Sequence, residues 1–280
     1  MIVVTGATGN IGRTLTQLLT SAGAEVVGIS HEAAPADTGI TYRTGLDTST
    51  VEGMREAVAG ADALFLMLGG AQNAFGGDPA ELVGAAVEAG VKRIVLNSSQ
   101  ASATRPQAAS HARLRAFEEA VRASGVEWTI LRPSGFASNA FAWLESVRTQ
   151  RTVYAPYGDV AWPVVDPADI AGMAAVALLE DGHVGRVYTV TGPVAVTPRE
   201  QAAVLSAALG EDVAFVELSR EQALEAMSAY MPAEIAAGTL DITKEPLPEE
   251  SRISPDVAAL LGRPAGDFAG WVARSVEAFR

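Results

Sequence analysis

The sequence contains no cysteine, only three histidines (His31, His111 and His183), few aromatic residues and no long apolar run. Without cysteine there is no disulfide framework, no thiolate metal site and no thiol chemistry. Three widely spaced histidines do not make a histidine metal cluster. No apolar stretch approaches the ~20 residues of a membrane span, and strand-forming residues stand where a signal peptide would be. A cytoplasmic protein with no membrane partner is therefore expected. Positive charge is also short. Against 33 acidic residues stand 20 Lys and Arg, and the net charge of −13 repels a phosphate backbone, which argues against nucleic acid as a partner. There is no internal repeat and no low-complexity linker. The length of 280 residues suffices for one large α/β domain or a domain with a smaller lobe.

What is present is concentrated at the start. Ile2, Val3, Val4 and Thr5 read as a strand, followed by Gly6-Ala-Thr-Gly9-Asn-Ile-Gly12 and a helical pattern carried by Leu15, Leu18, Leu19 and Ala22. A strand, a glycine turn and a helix start form a place where backbone can approach a phosphate and unpaired N–H groups can face it. The spacing is G-x-x-G-x-x-G, and its position between a strand and a helix, with a second strand at 25–29, gives it meaning as a dinucleotide loop. Asn10 is expected to cap the helix and Ile11 to pack it on the sheet.

Strands are expected at 2–5, 25–30, 40–43, 63–67, 93–97 and 127–131, with helices at 51–59, 79–89 and 108–124 between them. Near-continuous apolar strands alternating with helices predict a parallel sheet covered on both faces, with ligands at the carboxyl ends of the strands. The second half is less regular: a helix at 167–179, a strand at 186–191, then mostly helices. Residues 244–254 read as a charged, proline-bearing connector. The apolar helices at 257–261 and 268–279 serve either domain core or a homodimer surface.

TGATGNIG at the N-terminus, the strand RIVLNSS, RASG followed by VEWTILRPSGFASN, and VVDPADIA with VYTVTGP together resemble the NmrA-like atypical short-chain dehydrogenases. Within that group the chain is most similar to the NAD(P)H:quinone oxidoreductase type. The resemblance implies an α/β Rossmann-type doubly wound sheet at 1–152, with a smaller, mainly helical substrate lobe at 153–280 interwoven with it. It also implies NAD(P) bound by Gly6, Thr8, Gly9, Asn10, Ile11 and Gly12. The place just after strand two, where the family commonly has an arginine for the 2′-phosphate of NADP, reads Ser30-His31-Glu32. His31 takes that place here, and the cofactor expected is NADP in preference to NAD.

The superfamily's Tyr-x-x-x-Lys proton-donating pair is absent. No tyrosine has a lysine four residues on, and the only lysines are Lys92 and Lys244. Candidates that remain are Ser99, at the end of strand five, and His111, one residue out of register with the tyrosine position. Reducing an isolated ketone makes an alkoxide whose conjugate acid is near ~16, whereas reducing a quinone makes a phenolate near ~10, which water can protonate. The function expected is therefore NAD(P)H-dependent reduction of a quinone or an activated carbonyl or enone. Leu68, Gly69, Ser98 and Pro133 would line the cofactor. Gln100, Phe136, Tyr154 and Trp162 would line the small-molecule substrate, Trp162 having lobe packing as its alternative. Two other readings stay open: a non-catalytic NAD(P) sensor of the NmrA kind that engages a protein partner, and epimerase or dehydratase chemistry.

Overall fold

The computed structural model describes residues 1–30, 39–69 and 75–280. Its first elements are β1 (Ile2–Val4), α1 (Gly12–Ser21), β2 (Val26–Ser30), β3 (Thr41–Thr44), α2 (Val51–Ala57), β4 (Ala63–Met67), α3 (Pro79–Glu88) and β5 (Arg93–Asn97). They continue with α4 (Ala101–Thr104), α5 (Ala112–Ala123), β6 (Glu127–Pro133), α6 (Leu144–Gln150), β7 (Thr152–Ala155), α7 (Pro167–Leu179) and β8 (Arg186–Val190). The last are α8 (Pro198–Leu209), β9 (Ala214–Glu217), α9 (Arg220–Ser228), α10 (Ala233–Lys244), α11 (Asp256–Leu261) and α12 (Phe268–Ser275).

Seven strands form one sheet in the order β3-β2-β1-β4-β5-β6-β8, and the pairings from β3 through β6 are parallel. This is the doubly wound order expected from the strand–helix alternation. Both faces are buried, as the apolar runs require. Val3, Val27, Leu64, Leu66, Ile94, Leu96 and Ile130 point to one face, into a core shared with Met54 of α2, Leu82 of α3 and Phe117 of α5. Their neighbours Val4, Phe65, Val95 and Leu131 point to the other face and are fully buried too. Helix starts follow local chemistry: Thr50 accepts from Gly53 N–H to cap α2, and Asp78 accepts from Ala80 and Glu81 ahead of α3, with Pro79 in its first turn.

The order reverses between β1 and β4, so their carboxyl ends open the crevice where such sheets take ligands. Thr5 ties the two strands at that point. Its hydroxyl accepts from Met67 N–H at 2.8 Å and lies 3.1 Å from the carbonyls of Phe65 and Met67.

Two compact units divide the chain, and the backbone passes between them more than once. The first comprises 1–107, 111–133 and 168–189; the second comprises 108–110, 134–167 and 190–280. Residues 134–152 thus belong with the C-terminal residues, while α7 beyond Pro167 and most of β8 return to the sheet. Within the second unit β7 and β9 form a two-stranded parallel sheet. These strands have only four residues each and β9 is largely exposed, so no alternation marks them in the sequence. The core of this unit is aromatic: Phe141 meets Trp271 edge-on at 5.1 Å and stacks on Phe279 at 5.8 Å. The apolar faces of the C-terminal helices are spent here, with Phe268, Trp271, Val272 and Phe279 all buried. The connector after Lys244 is pinned: Leu247 N–H donates to the buried Glu250 carboxylate, and Ser254 N–H donates to Thr191. Among the described residues no helix is long and apolar enough to cross a membrane.

Candidate functional site: the carboxyl edge of the sheet

The glycines of the first loop have three different physical reasons. Gly6 holds φ +62°, a left-handed conformation that disfavours a side chain, and a turn closes from Gly9 N–H to its carbonyl at 3.0 Å. At Gly12 a Cβ would stand 2.2 Å from the Gly6 carbonyl oxygen and 2.7 Å from Ala7 Cα, so α1 can start against the loop only if this residue is glycine. Gly9 differs. Its Cβ would meet the Gly6 oxygen at 3.2 Å and otherwise only the tip of Met67 at 3.9 Å, which leaves the outer side of the loop open to a ligand.

The expectation that Asn10 caps α1 is corrected. Asn10 is exposed, Ile11 occupies the cap position in a helical conformation, and no side chain caps this end. The cause is that Arg13 N–H already bonds the Gly9 carbonyl, so the chain is winding before Asn10 can turn back. Helix α1 therefore presents backbone at its positive end, as an anion site requires. Ile11 is buried, as expected of its packing role. Thr8 and Ser30, the last residue of β2, bring their hydroxyl oxygens within 3.2 Å, and Arg13 Nε donates to the Thr8 carbonyl. His31 lies outside the described residues.

Farther along the edge, Met67 ends β4 and Asn97 ends β5, paired with each other and with Leu131 of β6. The β5 and β6 backbones stay joined beyond the sheet: Ser98 N–H donates to Leu131 and Gln100 N–H to Pro133. Leu68 packs on the first core, and Gly69 is exposed. Ser99 Oγ accepts from Ala101 N–H, which starts α4.

A buried ionic network holds this corner, and sequence reasoning missed it. Glu118 of α5 accepts at Oε1 from Ser98 Oγ (2.6 Å) and Arg132 Nε (2.9 Å), and at Oε2 from Arg132 and Arg122. Burial opposes the charge on Glu118, but the two arginines and Ser98 outweigh it and hold the carboxyl below its ordinary range. The Ser98 hydroxyl is thereby committed to fixing the end of β5. Arg132, a charge ending an apolar strand, was the available signal.

The remaining candidates stand on several elements. His111 is half-buried at the cap position of α5, following a 3-10 turn at Ala109–His111. In the second unit, Phe136 pairs with Val165, and the Tyr154 hydroxyl, carried on β7, donates to Gln150. The Trp162 indole donates to the Thr243 carbonyl, and its backbone pairs with Val196, so it braces that unit. Tyr157 stands apart in its local environment. It holds φ +55°, its hydroxyl is buried without a hydrogen-bond partner, and burial pushes its phenol above the usual value while Arg220 opposes.

The model of an NAD(P)H-binding family matches residues 6–181. A (4-alkanoyl-5-oxo-2,5-dihydrofuran-3-yl)methyl phosphate reductase of Streptomyces griseus is 37% identical over 100% of this chain and 99% of its own length. An NAD(P)H azoreductase of Xenophilus azovorans is 31% identical over 100% and 99%. Among solved structures, the NADPH-dependent quinone oxidoreductase QOR2 of Escherichia coli, complexed with NADPH, superposes with a TM-score of 0.76 at 26% identity, covering 99% of each chain.

Proposed function

Since the chain belongs to the NAD(P)H-binding family, we propose that it is an NAD(P)H-dependent reductase of conjugated, electron-poor small molecules: quinones, enones or azo compounds. The observation that carries this reading is the first loop, where Gly12 is closed by packing and Gly9 is open on its outer side, at the uncapped start of α1. Gly6, Thr8, Gly9, Asn10, Ile11 and Gly12 hold the pyrophosphate. Because β2 ends in Ser30 and not in an acidic residue, the hydroxyls of Thr8 and Ser30 suit the 2′-phosphate of NADP(H) better than a bare ribose. The bound reduced nicotinamide supplies the hydride.

This chain's own work is to orient that hydride donor and exclude water. The missing Tyr-x-x-x-Lys pair sets the substrate class. A quinone, an enone and an azo bond all take a hydride to give an anion that is already stabilised. A phenolate is about six pK units less basic than an alkoxide, so about 8 kcal/mol less proton affinity must be met at the site. The relatives described as acting on a dihydrofuranone, on azo compounds and on quinones support the same chemistry. Ser99, whose hydroxyl can donate while it accepts from Ala101, and His111 are the polar side chains proposed near the reacting carbon.

The test is reduced-cofactor oxidation by the purified chain against a quinone, an azo dye, an unsaturated lactone and a saturated cyclic ketone. Turnover of the conjugated acceptors without the ketone is expected. Ketone reduction at a comparable rate would overturn the reading, and cofactor binding with no turnover of any acceptor would favour a sensor.

A further inference from the structure

Asn97 ends β5 with its side-chain oxygen buried and, among the described residues, without a hydrogen-bond partner, and the residue as a whole is 6% exposed. Its neighbours on the same face, Met67 and Leu131, are apolar and offer the amide nothing. A buried amide oxygen left unmatched destabilises the protein, so one that no described residue satisfies, at the strand end where such sheets take ligands, is suited to accept from a ligand donor.

Its position says which donor. Leu66 and Leu96 face the core shared with α2, α3 and α5, so Met67 and Asn97, one residue on, face the other side. On that side the Met67 tip lies against the first loop, close enough to clash with a Cβ at Gly6. Asn97 is one strand farther out, about 10 Å from β1 at the ~4.8 Å strand spacing. In a doubly wound sheet the pyrophosphate sits over the β1 turn and the adenosine ribose at the end of β2. The other half of the dinucleotide therefore runs the opposite way, over β4 and β5.

Resting on the cofactor reading above, we propose that Asn97 binds the carboxamide of the nicotinamide ring. Two primary amides pair reciprocally: Asn97 Oδ1 accepts from the ligand NH₂, and Nδ2 donates to the ligand carbonyl. Rotation about χ2 lets the amide present either edge. Asn97 thereby fixes the rotation of the ring and the face it turns to the substrate. Ser98 cannot take this role while its hydroxyl is bonded to Glu118.

The test compares NADPH with 2′-phospho-ADP-ribose, which lacks only the nicotinamide, by calorimetry on the full chain; NADH and ADP-ribose replace them if the wild type prefers NAD. In Asn97→Leu, matched in size, affinity for the complete cofactor should fall about five- to tenfold while affinity for the ribose fragment stays within twofold. Asn97→Ser provides the same comparison should leucine fail to fold. Equal loss for both ligands, or no loss for either, would overturn the assignment. If the wild type bound neither ligand, the cofactor reading itself would fail and this assignment with it.

Discussion

Replacing Glu118 by glutamine keeps its shape and removes its charge from a site where four donors converge on two oxygens. With the new NH₂ at the Oε2 position, it faces the Nη2 groups of Arg132 and Arg122; at the Oε1 position it faces Arg132 Nε. Either way at least one charged donor meets another donor. Removing one partner of a buried ion pair costs about 3–5 kcal/mol when both are fully buried. Here the Glu118 side chain is 3% exposed but those of Arg132 and Arg122 are 21% and 35% exposed, so water recovers part of the loss. We expect Glu118→Gln to lower stability by about 2–3 kcal/mol near neutral pH, which is about 4–10 °C in a thermal melt.

The pH dependence is a second readout. Because the folded carboxyl titrates below its ordinary 4.5, its contribution is complete above that value. It is lost as pH falls through the lowered folded value. The gap between wild type and variant should therefore be constant from neutral pH to about 5 and narrow below about 4.5. A difference under about 0.5 kcal/mol at pH 7, or one that widens in acid, would mean that the Glu118 charge does not hold this corner.

Gly12→Ala must move loop backbone away from a 2.2 Å contact and should destabilise the fold by more than about 2 kcal/mol, whereas Gly9→Val should melt within about 1 kcal/mol of wild type yet lose NADPH binding in calorimetry. His111→Phe should slow enone reduction by about 10²-fold if His111 donates the proton and leave quinone reduction nearly unchanged; equal rates for both acceptors would assign it to a structural role. Trp162→Phe deletes the bond to Thr243 and should cost about 1 kcal/mol of stability without altering cofactor affinity, as equilibrium unfolding and titration can check together.

The sheet was legible because strands buried on both faces read as apolar runs, and the first loop because glycines stand between a strand and a helix. The difference between Gly9 and Gly12 was not legible. It depends on where the Gly6 carbonyl points after the turn closes. Asn10 looked like a cap because its residue type favours caps, but the helical turn had already begun at Gly9. The strands β7 and β9 are too short to show a period, and they pair across 58 intervening residues. Glu118 and Arg132 are 14 residues apart and meet only because α5 packs beside the ends of β5 and β6. Of the site, the backbone cradle was written in local sequence, while the side chains that fix its far end required the tertiary arrangement.

Hydride transfer can be followed atom by atom. NADPH deuterated at C4 on the transferred face is mixed with the chain and an unsaturated lactone, and the product is examined by mass spectrometry and NMR. One deuterium is expected on the carbon β to the carbonyl, with solvent supplying the proton at the α position and one oxidised cofactor formed per product. Cofactor oxidation without deuterium on that carbon, or no oxidation while NADPH binds tightly at the first loop, would rule out direct hydride transfer to the conjugated acceptor.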